Sequence, residues 1–208
     1  ALIMVDEHGE NSISVALGAN DALTAAQLEA ALPHLRESTY VLTQLETPLP
    51  IVAQLAELST QHGFKLVLNP APAAPLNDVL LAKLHLLTPN QTEAELLSGV
   101  KVTDEGSARE AATVLRAKGV TTVIITMGSQ GAYVLSDALD ELIPTHKVKA
   151  VDTTAAGDTF NGALTVALTE GKDLREAIRF ANKAAACSVG ILGAQASAPT
   201  RDDLKTIS

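Results

Sequence analysis

Residues 151–164 read VDTTAAGDTFNGAL, and their types and spacing could carry a transfer reaction. Ala155, Ala156 and Gly157 have little or no side chain, so the backbone there can approach a ligand closely. They open an Ala/Leu/Val-rich helical pattern, whose first N–H groups lack intrahelical partners and sit at the positive end of the helix dipole. Such a turn is a ready anion site. Asp158 follows at once, and a carboxylate beside a bound anion adds repulsion unless it has a task of its own. Taking the proton from an attacking hydroxyl is such a task. The same spacing also fits an ordinary Asp helix cap, and spacing alone leaves both readings open.

Other polar residues stand just after apolar runs. Glu46, in QLETPLP, is either a solvated loop acid or a hydroxyl acceptor for a polyol. Asn90 and Glu93, three apart in TPNQTEAELLSG, share one face of a helix start. That pairing suits a carboxylate holding a hydrated Mg²⁺ and an amide near phosphate, or plain capping in which Thr92 and Glu95 form the box. Thr126 and Gly128, in ITMGSQGA, offer a hydroxyl and a flexible turn that could touch phosphates or simply reverse the chain.

These residues need a frame to bring them together. Apolar runs at 40–45, 65–69, 84–88, 122–126 and 132–136 read as strands, and helical patterns at 51–62, 77–84, 92–99 and 107–119 fall between most of them. Short, continuously apolar strands alternating with helices predict an α/β fold, a mainly parallel sheet with helices on both faces. Ligands of such sheets bind beyond the carboxyl ends of strands, where all the polar residues above fall. Val151 to Asp158 reads as a strand, a tight turn and a helix start. Thr24 with Gln27 predicts a capping box opening a further helix. Residues 1–17 read as a hairpin about a polar turn at Asp6 to Asn11. It begins abruptly inside a strand pattern, and the expectation is that the natural N-terminus is missing. NPAPAAPLND reads as a loop, and no internal repeat or long linker is found.

Composition narrows the function classes. A net charge of -9 with no clustered basic face argues against a nucleic-acid partner, and 2% aromatics disfavours stacking platforms. His8, His34, His62, His85 and His146 show no metal-ligand spacing. The single Cys187, in AAACSV, reads as a small buried hydrophobe. No window approaches a membrane span and no export signal opens the chain, so the expectation is a soluble, cytoplasmic protein without a membrane partner.

LTPNQTEAELLSG, ITMGSQGAYV and VDTTAAGDTFNGAL, in this order and separation, are similar to the motifs of the ribokinase-like family of ATP-dependent sugar kinases. ALIMVDEHGEN, the GAN at Gly18 to Asn20, QLETPLP, LNPAPA and AIRFANKAAACSVGILGAQAS extend the resemblance over the whole chain. It implies phosphorylation of a sugar hydroxyl by ATP, with D-ribose giving D-ribose 5-phosphate. Asp158 matches the family's base, and Ala155, Ala156 and Gly157 match its anion hole. Asn90 and Glu93 match its motif for Mg²⁺ and phosphate. Thr126, Gly128, Ser129, Gln130 and Gly131 would line the nucleotide, with Asn182 near the adenine. Glu46 resembles a sugar contact. Asp152, Thr154, Ser188, Ile191, Gly193 and Ser197 match the loop pair that holds a monovalent cation, usually K⁺. Ala155 stands where many members carry Gly, a small departure because the hole uses backbone N–H groups.

The larger departure is that the family's N-terminal part, with its sugar-binding Asp and Gly-Gly motif, has no counterpart here. The resemblance therefore implies a remnant lid hairpin at 1–17, a truncated nucleotide-binding core at 18–208, and homo-oligomers through lid strands in the full-length form. A nucleotide-binding fragment without turnover, acting by association with another subunit, is the competing expectation.

Overall fold

A computed structural model describes residues 2–5 and 11–206. The chain forms two compact units, one of Gly18–Met127 with Ala132–Leu142, the other of Ala1–Leu17, Gly128–Gly131 and Ile143–Ser208.

In the second of these, β1 (Leu2–Val5) pairs antiparallel with β2 (Asn11–Ser14), Leu2 opposite Ser14. The hairpin expected from the sequence is present, and residues 6–10 of its turn lie outside the described residues. The same unit holds α6 (Ala156–Thr169) and α7 (Leu174–Ser188), which pack along each other. Asp173 caps α7 by accepting from the Glu176 N–H at 2.8 Å.

The other unit is built on α1 (Ala25–Glu37), β3 (Tyr40–Thr43), α2 (Leu49–His62), β4 (Lys65–Leu68), α3 (Asp78–Leu81), β5 (Leu86–Leu87), α4 (Gln91–Ser98), α5 (Glu105–Ala117), β6 (Thr122–Thr126) and β7 (Ala132–Leu135). β8 (Asp140–Ile143) closes the six-stranded sheet, whose order is β3-β4-β5-β6-β7-β8. β3 to β6 run parallel, and β7 turns back antiparallel on β6. A strand order that follows the sequence, with right-handed crossovers, puts the connecting helices on one face. Consistent with this, α2 packs on β4, α4 on β6, and α5 on β6 and β7. Leu66, Leu68, Leu87, Val123 and Ile125 join Leu55, Ala111 and Leu115 in the main core. Val67, Leu86, Ile124 and Val134 alternate to the opposite face and are no less buried. Strands dry on both faces need to be continuously apolar, as the sequence is.

Thr24 forms the expected box, accepting from the Gln27 N–H at 3.3 Å while the Gln27 side chain accepts from the Thr24 N–H at 2.9 Å. Several expectations are corrected. The runs at 40–45 and 84–88 shorten to Tyr40–Thr43 and Leu86–Leu87, because the ladder ends where the chain turns into loops. The helix at 77–84 is a single turn, Asp78–Leu81, and β8 escaped notice because DELI carries two acids. No strand precedes the turn at 151–158. Val151 is 57% exposed, and the Val151 and Asp152 N–H groups both donate to the Val189 carbonyl, so no ladder can form there. Cys187 is only partly buried.

His85 sits at the amino edge of the sheet, its ring 6.0 Å from that of Tyr40. Burial, then the Lys65 ammonium, depress its pKa below the ordinary 6.5. The folded chain binds this proton less readily than the unfolded chain. Its contribution to stability is therefore full above about pH 6.5 and is lost as the pH falls below that value. Thermal midpoints measured from about pH 8 to about pH 5 should fall less steeply in His85→Phe than in the parent. Equal slopes would remove His85 as the source.

Candidate active site

The turn before α6 is organised by Asp152. Its Oδ1 accepts from the Thr154 N–H at 2.9 Å and its Oδ2 from the Gly193 N–H at 2.8 Å. These bonds, the one from Gly193 foremost, hold its pKa below the usual 3.8. One carboxylate thereby joins the 151–154 loop to the segment after α7. Ser188, the last residue of α7, and Ser197 of that segment lie fully buried, their hydroxyls donating to the Ala185 and Ala194 carbonyls, while Ile191 is 43% exposed. The sequence-predicted cation residues Asp152, Thr154, Ser188, Ile191, Gly193 and Ser197 are thus drawn from two loops that the structure ties together. These groups are oxygen donors of the kind a hard cation takes, although both Asp152 oxygens already accept from main-chain N–H groups. Among the described residues no cluster of His, Cys, Asp and Glu suits a transition metal.

Ala155, at φ 60°, is the only non-glycine with positive φ among the described residues. This left-handed backbone costs a residue with a Cβ about 1–2 kcal/mol. It swings the chain into α6 with no side-chain cap. The Ala156 N–H closes the turn onto the Thr153 carbonyl at 3.2 Å, leaving the Gly157 and Asp158 N–H groups as the open donors of the helix start. Of the three expected anion-hole donors, Ala156 is therefore partly engaged. Asn161, 3% exposed, donates from Nδ2 to the Gly157 carbonyl at 2.9 Å and stiffens this first turn. It was not singled out from sequence, although a polar residue on the apolar face of α6 is a signal that could have found it.

Asp158 is exposed and lines a cavity of about 530 Å³ with Ala155, Thr159, Gly162, Val166 and Phe180. These walls are mostly apolar, so they do not by themselves make a cradle for hydroxyl groups.

In the sheet unit, Asn90 caps α4. Its Oδ1 accepts from the Glu93 N–H at 2.8 Å, while Glu93 Oε2 accepts from the Asn90 N–H at 2.8 Å and Oε1 from Asn90 Nδ2 at 2.9 Å. The capping box is therefore Asn90 with Glu93, not Thr92 with Glu95. Glu93 is 5% exposed and its pKa is raised, chiefly by burial. With both oxygens committed to Asn90, it does not fit a direct metal ligand. What it holds is Asn90, which forms a parallel bridge to Thr126, whose N–H donates to the Pro89 carbonyl at 2.9 Å. Asn90, Glu93 and Thr126 thus meet at the carboxyl ends of β5 and β6. Asn69, missed from sequence, crosses the same edge by donating to the Thr88 carbonyl at 3.0 Å. Glu46 is exposed, and Asn20 of the GAN phrase donates to its Oε2 at 3.3 Å.

Gly128, Ser129 and Gln130 form a short exposed turn closed by the Gly131 N–H on the Gly128 carbonyl at 3.1 Å. Gly131, at φ 107°, lies against the backbone of 143–145. Asn182 is 4% exposed, and its Nδ2 donates to the Ile143 carbonyl at 3.0 Å and the Pro144 carbonyl at 3.4 Å. Its amide is turned to the main chain.

Comparison with known proteins shows the family and the fold. The sequence model of the pfkB family carbohydrate kinases matches residues 1–201. The ribokinase of Haemophilus influenzae is 48% identical over 203 residues, 98% of this chain and 66% of that protein. The crystal structure of a ribokinase from Thermotoga maritima superimposes with a TM-score of 0.86 at 40% identity, over 98% of this chain and 67% of that one. The Arabidopsis thaliana ribokinase complexed with ribose and ATP gives a TM-score of 0.83 at 31% identity, over 98% of this chain and 66% of that one. The chain thus spans about two thirds of the length of the relatives it matches.

Proposed function

Because the chain belongs to the pfkB family of carbohydrate kinases, we propose that it serves transfer of the γ-phosphoryl group of ATP to a hydroxyl of a sugar, with D-ribose as the substrate. The observation that carries this reading is Asp158 at the third position of an uncapped helix start, exposed beside open N–H donors. Asp158 takes the proton of the sugar hydroxyl as its oxygen attacks the γ-phosphorus. The Gly157 and Asp158 N–H groups, joined by Ala156 if its turn bond relaxes, meet the charge that develops on the transferring group.

Asp152 keeps the turn and the 188–197 segment in register. A monovalent cation held there would add positive charge behind the turn. Asn90, with Glu93 bracing it, presents its exposed edge to phosphate oxygens, and Glu93 reaches a hydrated Mg²⁺ only through water. Thr126 and the Gly128–Gly131 turn follow the nucleotide. Glu46, steadied by Asn20, accepts from a sugar hydroxyl. Leu2 and Met4, 75% and 65% exposed, offer the hairpin as the pairing surface for a second copy, and the cytoplasm is the proposed compartment. Among the described residues no helix is long and apolar enough to cross a membrane.

A second reading, nucleotide binding without turnover, is favoured by the apolar walls around Asp158. Release of ADP on mixing the chain with ATP, ribose, Mg²⁺ and K⁺ decides between them. Turnover that needs ribose supports the kinase, whereas ATP binding with no ribose-dependent ADP supports the second reading.

A further inference from the structure

Asn182 spends its amide in an unexpected way for a residue beside a nucleotide. Its Nδ2 donates to two main-chain carbonyls, at 3.0 Å on Ile143 and 3.4 Å on Pro144. Its own main-chain carbonyl, on α7, accepts from Thr145 Oγ1 at 3.2 Å. The side chain and the backbone of one residue therefore hold three successive residues, Ile143 to Thr145. That run in turn forms the wall against which Gly131 packs. A Cβ at Gly131 would lie 2.2 Å from the Ile143 carbonyl oxygen, 2.8 Å from the Thr145 nitrogen and 2.9 Å from the Pro144 carbonyl carbon. No slack separates the two segments, so a shift of 143–145 must move Gly131 and the turn it closes. Buried polar groups that are fully committed in this way fix one backbone arrangement.

We infer that Asn182 is a positioning residue for the nucleotide turn: it ties Ile143–Thr145 to α7 and, through that run, sets where Gly128–Gly131 stands, without reading the base. This rests on the nucleotide reading given above. With its donors spent, Asn182 retains only an acceptor with which to meet a purine edge. A base reader would therefore distinguish the 6-amino group of ATP from the 6-oxo group of GTP. A positioning residue would affect both nucleotides alike.

The test uses the whole chain and two shape-conserving variants. Asn182→Asp removes both N–H donors, and Thr145→Val removes the hydroxyl bond without touching Asn182. Dissociation constants for ATP and GTP, with Mg²⁺, come from calorimetry, and amide hydrogen exchange at Gly131, Ile143 and Thr145 is followed without nucleotide. The expected result is faster exchange in both variants, with ATP and GTP weakened by the same factor. That factor should be about tenfold for Asn182→Asp, which loses two hydrogen bonds, and about threefold for Thr145→Val, which loses one. Asn182→Asp shifting ATP relative to GTP with parental exchange would overturn the inference, as would Thr145→Val behaving like the parent. A parent chain that binds neither nucleotide sinks the nucleotide reading and this inference together, whereas the other two outcomes sink this inference alone.

Discussion

Replacing Asp158 by Asn lowers ribose-dependent ADP release by about 100- to 10,000-fold and leaves the ATP dissociation constant within about twofold. The asymmetry follows from what the substitution removes. Asn keeps the size of Asp158 at the third position of α6, which has no side-chain cap to lose, so the exposed first turn and its Gly157 and Asp158 N–H donors persist. What is lost is the only acid among the five α6 residues that line the cavity. A carboxamide cannot accept the proton that the attacking hydroxyl must shed. Removing a negative charge beside the phosphates should, if anything, tighten ATP slightly. Single-turnover ADP release and equilibrium ATP binding on the same preparation check both halves. Unchanged turnover would remove Asp158 as the base, and a parallel loss of ATP affinity would recast it as a structural cap.

The second large effect concerns a glycine. Gly131→Ala destabilises the unit that contains it by about 3 kcal/mol, the sum of overpacking and left-handed backbone strain. The new methyl would stand 2.2 Å from the Ile143 carbonyl oxygen, a main-chain atom that cannot swing aside, at φ 107°. Gly128→Ala is the control. It carries a positive φ of 55°, yet nothing lies within 4 Å of the added Cβ, so only the backbone strain of about 1 kcal/mol applies. Urea midpoints for the two variants should differ severalfold in their shift from the parent. Equal shifts would show that the crowding at 143–145 relaxes at little cost.

Much of this was readable in the sequence because local rules agreed with the fold. KLVLN is apolar at every position that the sheet buries, and TVIIT at every one but Thr122, so period and burial gave the same answer at β4 and β6. Asn90 and Glu93 were recognisable by spacing. Whether they met each other or a ligand depended on rotamers that spacing does not encode. β8 escaped because half its face is solvated and its residues, Asp140 and Glu141, are poor strand formers. Val151 pointed the other way, since an apolar β-branched residue reads as strand while its N–H is taken by Val189. Asn161 and Asn182 were the hardest to place, since each acts on a main-chain carbonyl that only the folded chain brings near.

The strand order of the sheet carries a further consequence, for the time course of folding. β3, β4, β5, β6, β7 and β8 each sit beside their neighbour in sequence, so every pairing closes only one local connection. Parallel pairing across a helical connection is slow to close, but none of these pairings waits for a strand further along the chain. The sheet can therefore grow strand by strand in the direction of synthesis, with α2 covering β4 and α5 covering β6 as each emerges. The turn before α6 and the loop it is tied to come last along the chain. Asp152 and Gly193, 41 residues apart, both follow the last strand, so this corner is assembled after the platform that precedes it.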